Sequence, residues 1–552
     1  MIKLFTPFSS AAFSIILLLV GVRAHSPQYP ILEKYVASNN ISSRKQVAII
    51  GAGIGGASVA HFIRNNFYDF NPVDITVFES TAIIGGRMKS VKYRGHTVEL
   101  GAQYWSKDDW CMGHAMSEVG LKGTEKGPEY KLERPQTVGV WGGEAFVLVE
   151  TDTTEFSSWW HLAMSIWREG LEAWQLRKVS SPYWDLFRAT QRYGSSPLKL
   201  RAAILSKLQS YNEFGRKPFD VLKDELFRAG LQGSILRSAQ EYLQSLNLTS
   251  RFTSEIVQPS SGARFGQALT DIRGVASLVA IRDILSKKVR IARGNNRLID
   301  RLVKLSDADL KLNTRVASIT KGEEKKFKVT YEATSSTEGR QQASKSREFD
   351  AVIIAAPFPY NGINMGSVEL KVKRAPEPVY AEKHVTHFAT PERLFSAFFN
   401  LSSNATIPDN ILTTTTNSNG LSFHSIHKVQ GIFFIDRTGC ETLNSMELSD
   451  CDTVIYENIY RVLSNTPVDR CTLAKMAGKE CNYAFPFFHH QAWPYAFPQL
   501  QDNSRWSDEV EIAPNLFYLS GGEEIVSPLE MSCRMGYNAA RKLSTRWRWE
   551  KT

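Results

Sequence analysis

The chain has 552 residues, 43 % apolar and 22 % charged, which excludes a disordered, collagenous or multi-span membrane protein. At about 150 residues per domain, that length suits three to four domain-sized units or one discontinuous two-domain enzyme. The 66 basic and 56 acidic residues give +10, a mild excess without a compact Lys/Arg block. Nucleic-acid binding is therefore not indicated, while peripheral association with an anionic membrane or a lipoprotein stays open.

Residues 1–24 begin with Lys3, run through the apolar stretch Ala11 to Val22 and end Val22-Arg23-Ala24, the pattern of a cleaved signal peptide. An uncleaved anchor is the alternative, but about twelve strongly apolar residues fall short of the roughly 20 that span a bilayer. Export predicts an oxidising compartment, and the six cysteines (Cys111, Cys440, Cys451, Cys471, Cys481, Cys533) form an even set compatible with disulfides whose pairing the sequence leaves open. Sequons at Asn40, Asn247, Asn400 and Asn404 fit a glycosylated lumenal protein.

After a polar lead (25–44), the strand Val47 to Ile50 runs into GAGIGG, a helical stretch and a second strand, Asp74 to Glu79. This βαβ order predicts a parallel sheet. Gly51, Gly53, Gly55 and Gly56 lie in the glycine run, and the G-x-G-x-x-G spacing opens a helix. The first glycine of that motif permits the tight turn, the second lets backbone approach a pyrophosphate, and the third lets the helix pack on the sheet. Glu79 follows at the end of the next strand, where a carboxylate can bond both ribose hydroxyls of an adenosine and disfavours a 2′-phosphate. Residues 45–110 thus read as the first part of a dinucleotide-binding domain. The stretch 111–290 reads as mainly helical, 291–360 returns to strands around a charged hairpin, 361–510 reads as irregular and Cys-bearing, and 511–545 gives a last strand and helix before a tail at 546–552.

The continuation Gly85-Gly86-Arg87, followed by Glu99, Gly101 and Ala102, resembles the flavin amine-oxidase superfamily. That resemblance implies an α/β fold: a discontinuous Rossmann-like FAD-binding domain with a mixed helical and β substrate domain. It implies non-covalent FAD, with Gly86 and Arg87 at the diphosphate and Gly101 and Ala102 bordering the ring. It also implies Gly294 to Val303 as a later FAD segment, Val316 beside the adenine, and Glu523, Glu530 and Met531 near the flavin. Between these motifs the GAGIGGASVAHF start, the GNNRLI stretch and the FYLSGGEEIVSPLE terminus are similar to the prenylcysteine oxidase family over about 45–545. Gly521-Gly522-Glu523-Glu524 departs from that family's more apolar run, which leaves the contacts at the flavin edge open. The resemblance implies oxidative cleavage of farnesyl- or geranylgeranyl-cysteine with O2 and water to cysteine, prenyl aldehyde and hydrogen peroxide, in the lysosome or, alternatively, after secretion. An amine oxidase of the same fold and a non-catalytic lipid-associated protein are the alternatives.

Trp160, Met164, Trp167, Leu171 and Trp174 recur at helical spacing and form a candidate prenyl-facing stripe, with a plain core helix or a membrane-touching patch as the competing readings. Gln267 is a candidate substrate contact on the family likeness. Flanking it, Arg264 and Arg273 are candidates for the substrate carboxylate, with a surface residue as the bland and preferred reading of each. His489-His490 has no further ligand-like partner at short spacing, so no metal site is expected. The chemistry calls for positioning over the flavin more than for a side-chain base, and no catalytic acid or base is assigned.

Overall fold

In a computed structural model the described residues are 44–67, 73–124, 137–149, 191–286, 288–334, 344–357, 362–366, 368–371, 379–414, 423–436, 453–499, 509–526 and 529–549. The signal-peptide segment, Asn40, the whole Trp160 to Trp174 stripe, Cys440 and Cys451 lie outside them.

The central sheet is drawn from three separated stretches. Its strands are β1 (Lys45–Ile50), β2 (Val73–Phe78), β3 (Asp309–Lys311), β4 (Ala351–Ile354), β5 (Glu511–Ala513) and β6 (Leu516–Tyr518), in the order β3-β2-β1-β4-β6-β5. All neighbours are parallel except β5 and β6. β1 is buried on both sides, as an inner parallel strand must be, and its alternate residues serve two cores. Val47 and Ile49 pack with residues of α1 (Ile54–Phe67), α3 (Asn296–Leu305) and α4 (Leu529–Trp549), α2 being Trp110–Glu118. Ala48 and Ile50 pack instead against Val316, Val329 and Phe349 of an antiparallel meander (Thr314–Lys321, Phe327–Ala333, Lys345–Phe349). α1 and α4 cross at small residues: a Cβ on Gly536 would stand 2.7 Å from the Gly55 carbonyl oxygen. The strand Lys345–Phe349 takes up the end of a segment that reads as polar loop. Only its Phe349 is buried, so an exposed edge strand carries little apolar signal.

Residues 361–510, expected to be irregular, contain most of a second sheet. Its seven strands run Phe488–Pro498, Tyr380–Thr390, Thr453–Ser464, Phe423–Asp436, Asn410–Thr413, Val138–Trp141, Phe146–Val149. The period-2 pattern was hidden because this sheet buries polar residues (Thr386, His387, His424, Gln430, Asn458), and bulges between Lys428 and Gln430 and between Ala381 and Lys383 shift its phase. The expected helical region holds Ser196–Glu213, Leu222–Arg228, Ala239–Ser245, Gln258–Phe265 and Gly274–Leu285. Ala239–Ser245 starts at a capping box between Ser238 and Glu241. The disulfide Cys111–Cys533 ties α2 to α4, and Cys471–Cys481 closes a short loop.

Candidate active site

The glycine loop lies where β1 meets α1. Gly51 holds a φ of +101°, and a Cβ on Gly56 would fall 1.9 Å from the Gly51 carbonyl oxygen, so the turn closes only without side chains at those positions. Gly53 differs: a Cβ there would meet no protein atom within 4 Å. Open space therefore stands beside the N-terminus of α1, whose first N–H groups have no intrahelical acceptor. The Glu79 carboxylate accepts from the Ala52 N–H (2.9 Å) and from the backbone and hydroxyl of Thr81, which fixes it at the loop's edge. Val316 sits on the strand that begins at Thr314, whose N–H donates to the Glu79 carbonyl. Its side chain is in the core, so a role toward a ligand would fall to its backbone.

Two more loops lock onto this one. The Gly85 N–H donates to the Ala52 carbonyl, and Gly86 (φ +54°) lies 3.6 Å, from its would-be Cβ, to the Gly53 Cα. Gly101 presses on the same loop: its Cβ would be 2.0 Å from the Arg87 carbonyl oxygen, which also accepts from the Ala102 N–H. Asn295 fastens the segment from the other side. Its amide donates to the Ala102 and Gln103 carbonyls (3.1 and 2.9 Å), its N–H donates to Glu99, and its side-chain oxygen accepts from the Ile291 N–H. Burial pushes the Glu99 carboxyl up to about 7, only partly offset by the Asn295 N–H.

Arg87, expected at a diphosphate, donates to Glu523 (2.5 Å) and to the Ala496 carbonyl (3.0 Å). Burial works against its charge, but Glu523 outweighs it and holds the guanidinium above its ordinary value. About a third of the side chain stays accessible in this enclosed setting, so one edge remains for a ligand. Glu523 also accepts from Ser532 and Tyr380, so this residue of the departing Gly521-Gly522-Glu523-Glu524 run anchors Arg87. Glu530 is a correction to the expected flavin contact. Its carboxylate accepts from Arg534 (2.6 Å) and from the Cys111 and Met112 N–H groups, capping α2, and both side chains of the pair are fully buried. The Met531 side chain is core, packed beside Gly522.

On the substrate side, Gln267 is buried and donates to the Pro498 carbonyl, joining helix to sheet in place of the expected substrate contact. Arg273 is a correction too, both as a carboxylate candidate and as a surface residue: it is buried and bonds the Ile235 and Glu524 carbonyls. Arg264 pairs with Asp283 (2.9 Å), which also holds Arg282 together with Asp109. His490 stacks on His384 with a 3.0 Å ring–ring hydrogen bond. Among the described residues no group of three potential ligands is gathered for a metal. Asn247, Asn400 and Asn404 are exposed.

The sequence reading missed Arg461. Cross-strand register places it beside His387 on one neighbour and His427 on the other, with His489 beyond His387 and Asn410 beyond His427. Directly opposed residues project from the same face, so these five form a polar row across the second sheet. His387 lies by the Glu99 backbone, and Arg461 by Tyr104 and Arg264, which puts the row against the segment that follows Gly101. Burial, then the Arg461 charge, holds His427 down to about 3, and His387 is likewise pushed well below the usual imidazole range.

These residues fit an adenine dinucleotide: three glycine loops interlock at a helix N-terminus, Gly53 faces open space, and an acid stands at the ribose position. The family model described as prenylcysteine lyase matches residues 176–552, and one described as an NAD(P)-binding Rossmann-like domain matches 49–117. The chain belongs to the prenylcysteine lyase family. It is 24 % identical over 514 residues to prenylcysteine oxidase 1 of Bos taurus, covering 91 % of this chain and 89 % of that one. Farnesylcysteine lyase of Arabidopsis thaliana is 27 % identical over 307 residues, which is 52 % of this chain and 57 % of that one. Among solved structures, cyclohexylamine oxidase from Brevibacterium oxydans superposes with a TM-score of 0.53 at 13 % identity, covering 92 % of this chain and all of that one. This likeness is one of fold. The family match takes in the second and third stretches of the discontinuous domain, and the Rossmann match takes in the first.

Proposed function

We propose that the chain is an FAD-dependent oxidase that cleaves the thioether of prenylated cysteine, with O2 and water as co-substrates and cysteine, a prenyl aldehyde and hydrogen peroxide as products. The observation that carries the reading is the junction of the Gly51, Gly85 and Gly101 loops, with open space beside Gly53, in a chain of the prenylcysteine lyase family. A thioether C–S bond resists hydrolysis. When bound, the flavin supplies the two-electron acceptor for the allylic C–H next to sulfur. Water then adds at that carbon, and collapse of the hemithioacetal releases thiol and aldehyde, with the electrons passing to O2. The protein's part is to hold the cofactor on the glycine loops, keep the Ala102–Gln103 segment in place through Asn295, and position the donor carbon. Lumenal residence, lysosomal or secreted, belongs to the same reading. It is supported by the apolar N-terminal stretch and by the pairing of Cys111 with Cys533 and Cys471 with Cys481, which suits an oxidising compartment.

The purified protein should absorb near 450 nm, roughly the value for an oxidised flavin, and should release peroxide with farnesylcysteine or geranylgeranylcysteine. Peroxide from simple amines alone would reject the thioether reading. A colourless protein that takes up no added FAD would reject both oxidase readings.

A further inference from the structure

Within the reading of the substrate as a thioether amino acid, on which this step rests, we propose that Arg461 receives the substrate carboxylate and sets the specificity for an amino-acid end. Arg461 stands on a central strand of the second sheet, in the row His489, His387, Arg461, His427, Asn410. The row faces the Glu99–Tyr104 segment, which continues into the loops around the cofactor cradle.

The other arginines of this region have anionic or carbonyl partners, although the Arg273 Nη2 is left without one among the described residues. Arg87 holds Glu523, Arg264 holds Asp283, Arg282 holds Asp109 and Asp283, and Arg273 bonds two carbonyls. Arg461 makes no side-chain hydrogen bond or ion pair with a described residue, and its Nε is buried without an acceptor. It is enclosed by protein, yet the residue retains some accessible surface. Burial depresses its affinity for a proton, to about 10, and the titratable groups facing it are Tyr104 and Arg264, with no carboxylate among them. His387 and His427, held neutral, supply no counter-charge.

A buried guanidinium without an anion is costly, and removing the counter-charge from such a site is among the larger single destabilisations known. A substrate carboxylate supplies the missing partner, and the planar fork suits it bidentately.

The test uses S-decyl-L-cysteine, a saturated thioether without the allylic activation needed for turnover, and its methyl ester, each titrated calorimetrically into the flavin-loaded protein. Wild type is expected to bind the acid roughly 10- to 150-fold more tightly than the ester, the range for a hydrogen bond to a charged group. In Arg461→Gln the ratio should fall to about one with ester affinity unchanged, and Arg461→Lys should restore part of it. Equal affinity of wild type for acid and ester overturns the proposal without any variant. A ratio unchanged in Arg461→Gln, with a circular dichroism spectrum like wild type's, overturns it as well. Peroxide formation from farnesylcysteine by wild type is read separately: its absence sinks the oxidase reading, while Arg461-dependent discrimination of acid from ester still establishes the carboxylate site.

Discussion

Gly53 and Gly56 lie three residues apart in one motif, yet they predict opposite outcomes for the same substitution. In Gly56→Ala the new methyl would stand 1.9 Å from the Gly51 carbonyl oxygen, a fixed backbone atom at the heart of the β1–α1 turn. Overpacking of well-filled sites costs about 1–3 kcal/mol and occasionally more, and a clash with immovable backbone belongs at the upper end. Gly56→Ala should therefore lose both thermal stability and flavin. In Gly53→Ala the methyl meets no protein atom within 4 Å, and the residue is not in the left-handed region. Gly→Ala at a compatible position stabilises by about 0.4–1 kcal/mol through the unfolded chain, so the apoprotein should melt at or slightly above the wild-type temperature. The same methyl would enter the space assigned to the diphosphate, and at about 1–3 kcal/mol it should weaken FAD binding roughly 5- to 150-fold. Absorbance near 450 nm per mole of protein, with FAD titrated into the apoprotein, reads the second quantity, and thermal unfolding reads the first. Wild-type FAD affinity in Gly53→Ala would refute the placement of the diphosphate. A stable, flavin-loaded Gly56→Ala would refute the steric reading of the turn.

Two further substitutions test the frame around the site. Glu530→Ala leaves the buried Arg534 charge and the Cys111 and Met112 N–H groups without their acceptor, so unfolding in denaturant should lose about 3–5 kcal/mol; a loss under about 1 kcal/mol would show that the pair is not structural. Glu524 is buried, neither oxygen has a hydrogen-bond partner among the described residues, and burial, opposed by Arg273 and helped by Glu523, pushes its carboxyl up to about 8. The folded state thus keeps a proton that the unfolded state has released. The stability tied to this proton is full below the ordinary carboxyl value of 4.5 and falls as pH rises toward 8, at up to about 1.4 kcal/mol per unit. Glu524→Gln should melt like wild type near pH 4 and gain on it progressively toward pH 8, and a parallel pH profile for the two proteins would refute the assignment.

The cofactor cradle was legible because its requirements are local. Gly51, Gly56 and Gly101 are needed for contacts of 1.9 to 3.1 Å with backbone within the same or an adjoining loop, and a motif records such a need directly. The roles of the charged residues were not legible, since each depends on what the fold brings opposite. Arg264 and Arg273 looked available in the chain and are taken by Asp283 and by two carbonyls. Glu530 opens a helix, as a residue serving a cofactor does, but α2 begins beside it and its first N–H groups claim the carboxylate. Arg461 gave no signal because its neighbours His387 and His427 arrive only through strand register, in a sheet whose alternation is masked by buried polar side chains. The sequence marks where the dinucleotide goes, while partnership decides which charges remain for a substrate.

That difference bears on the choice between a thioether and an amine. The fold shared with cyclohexylamine oxidase carries no substrate information at 13 % identity, so the discrimination has to come from the charges in the site. An ammonium held within about 5 Å of an unpaired guanidinium, at an effective dielectric near 20, is opposed by about 3 kcal/mol, or roughly a hundredfold in affinity. A cysteine thioether carries an ammonium too, but its carboxylate can lie between that charge and Arg461 and convert the repulsion into a neutralised triple. The same guanidinium therefore penalises a simple amine and rewards an amino-acid end. With Glu523 committed to Arg87 and Asp283 to Arg264, neither of these carboxylates is left to reverse the preference.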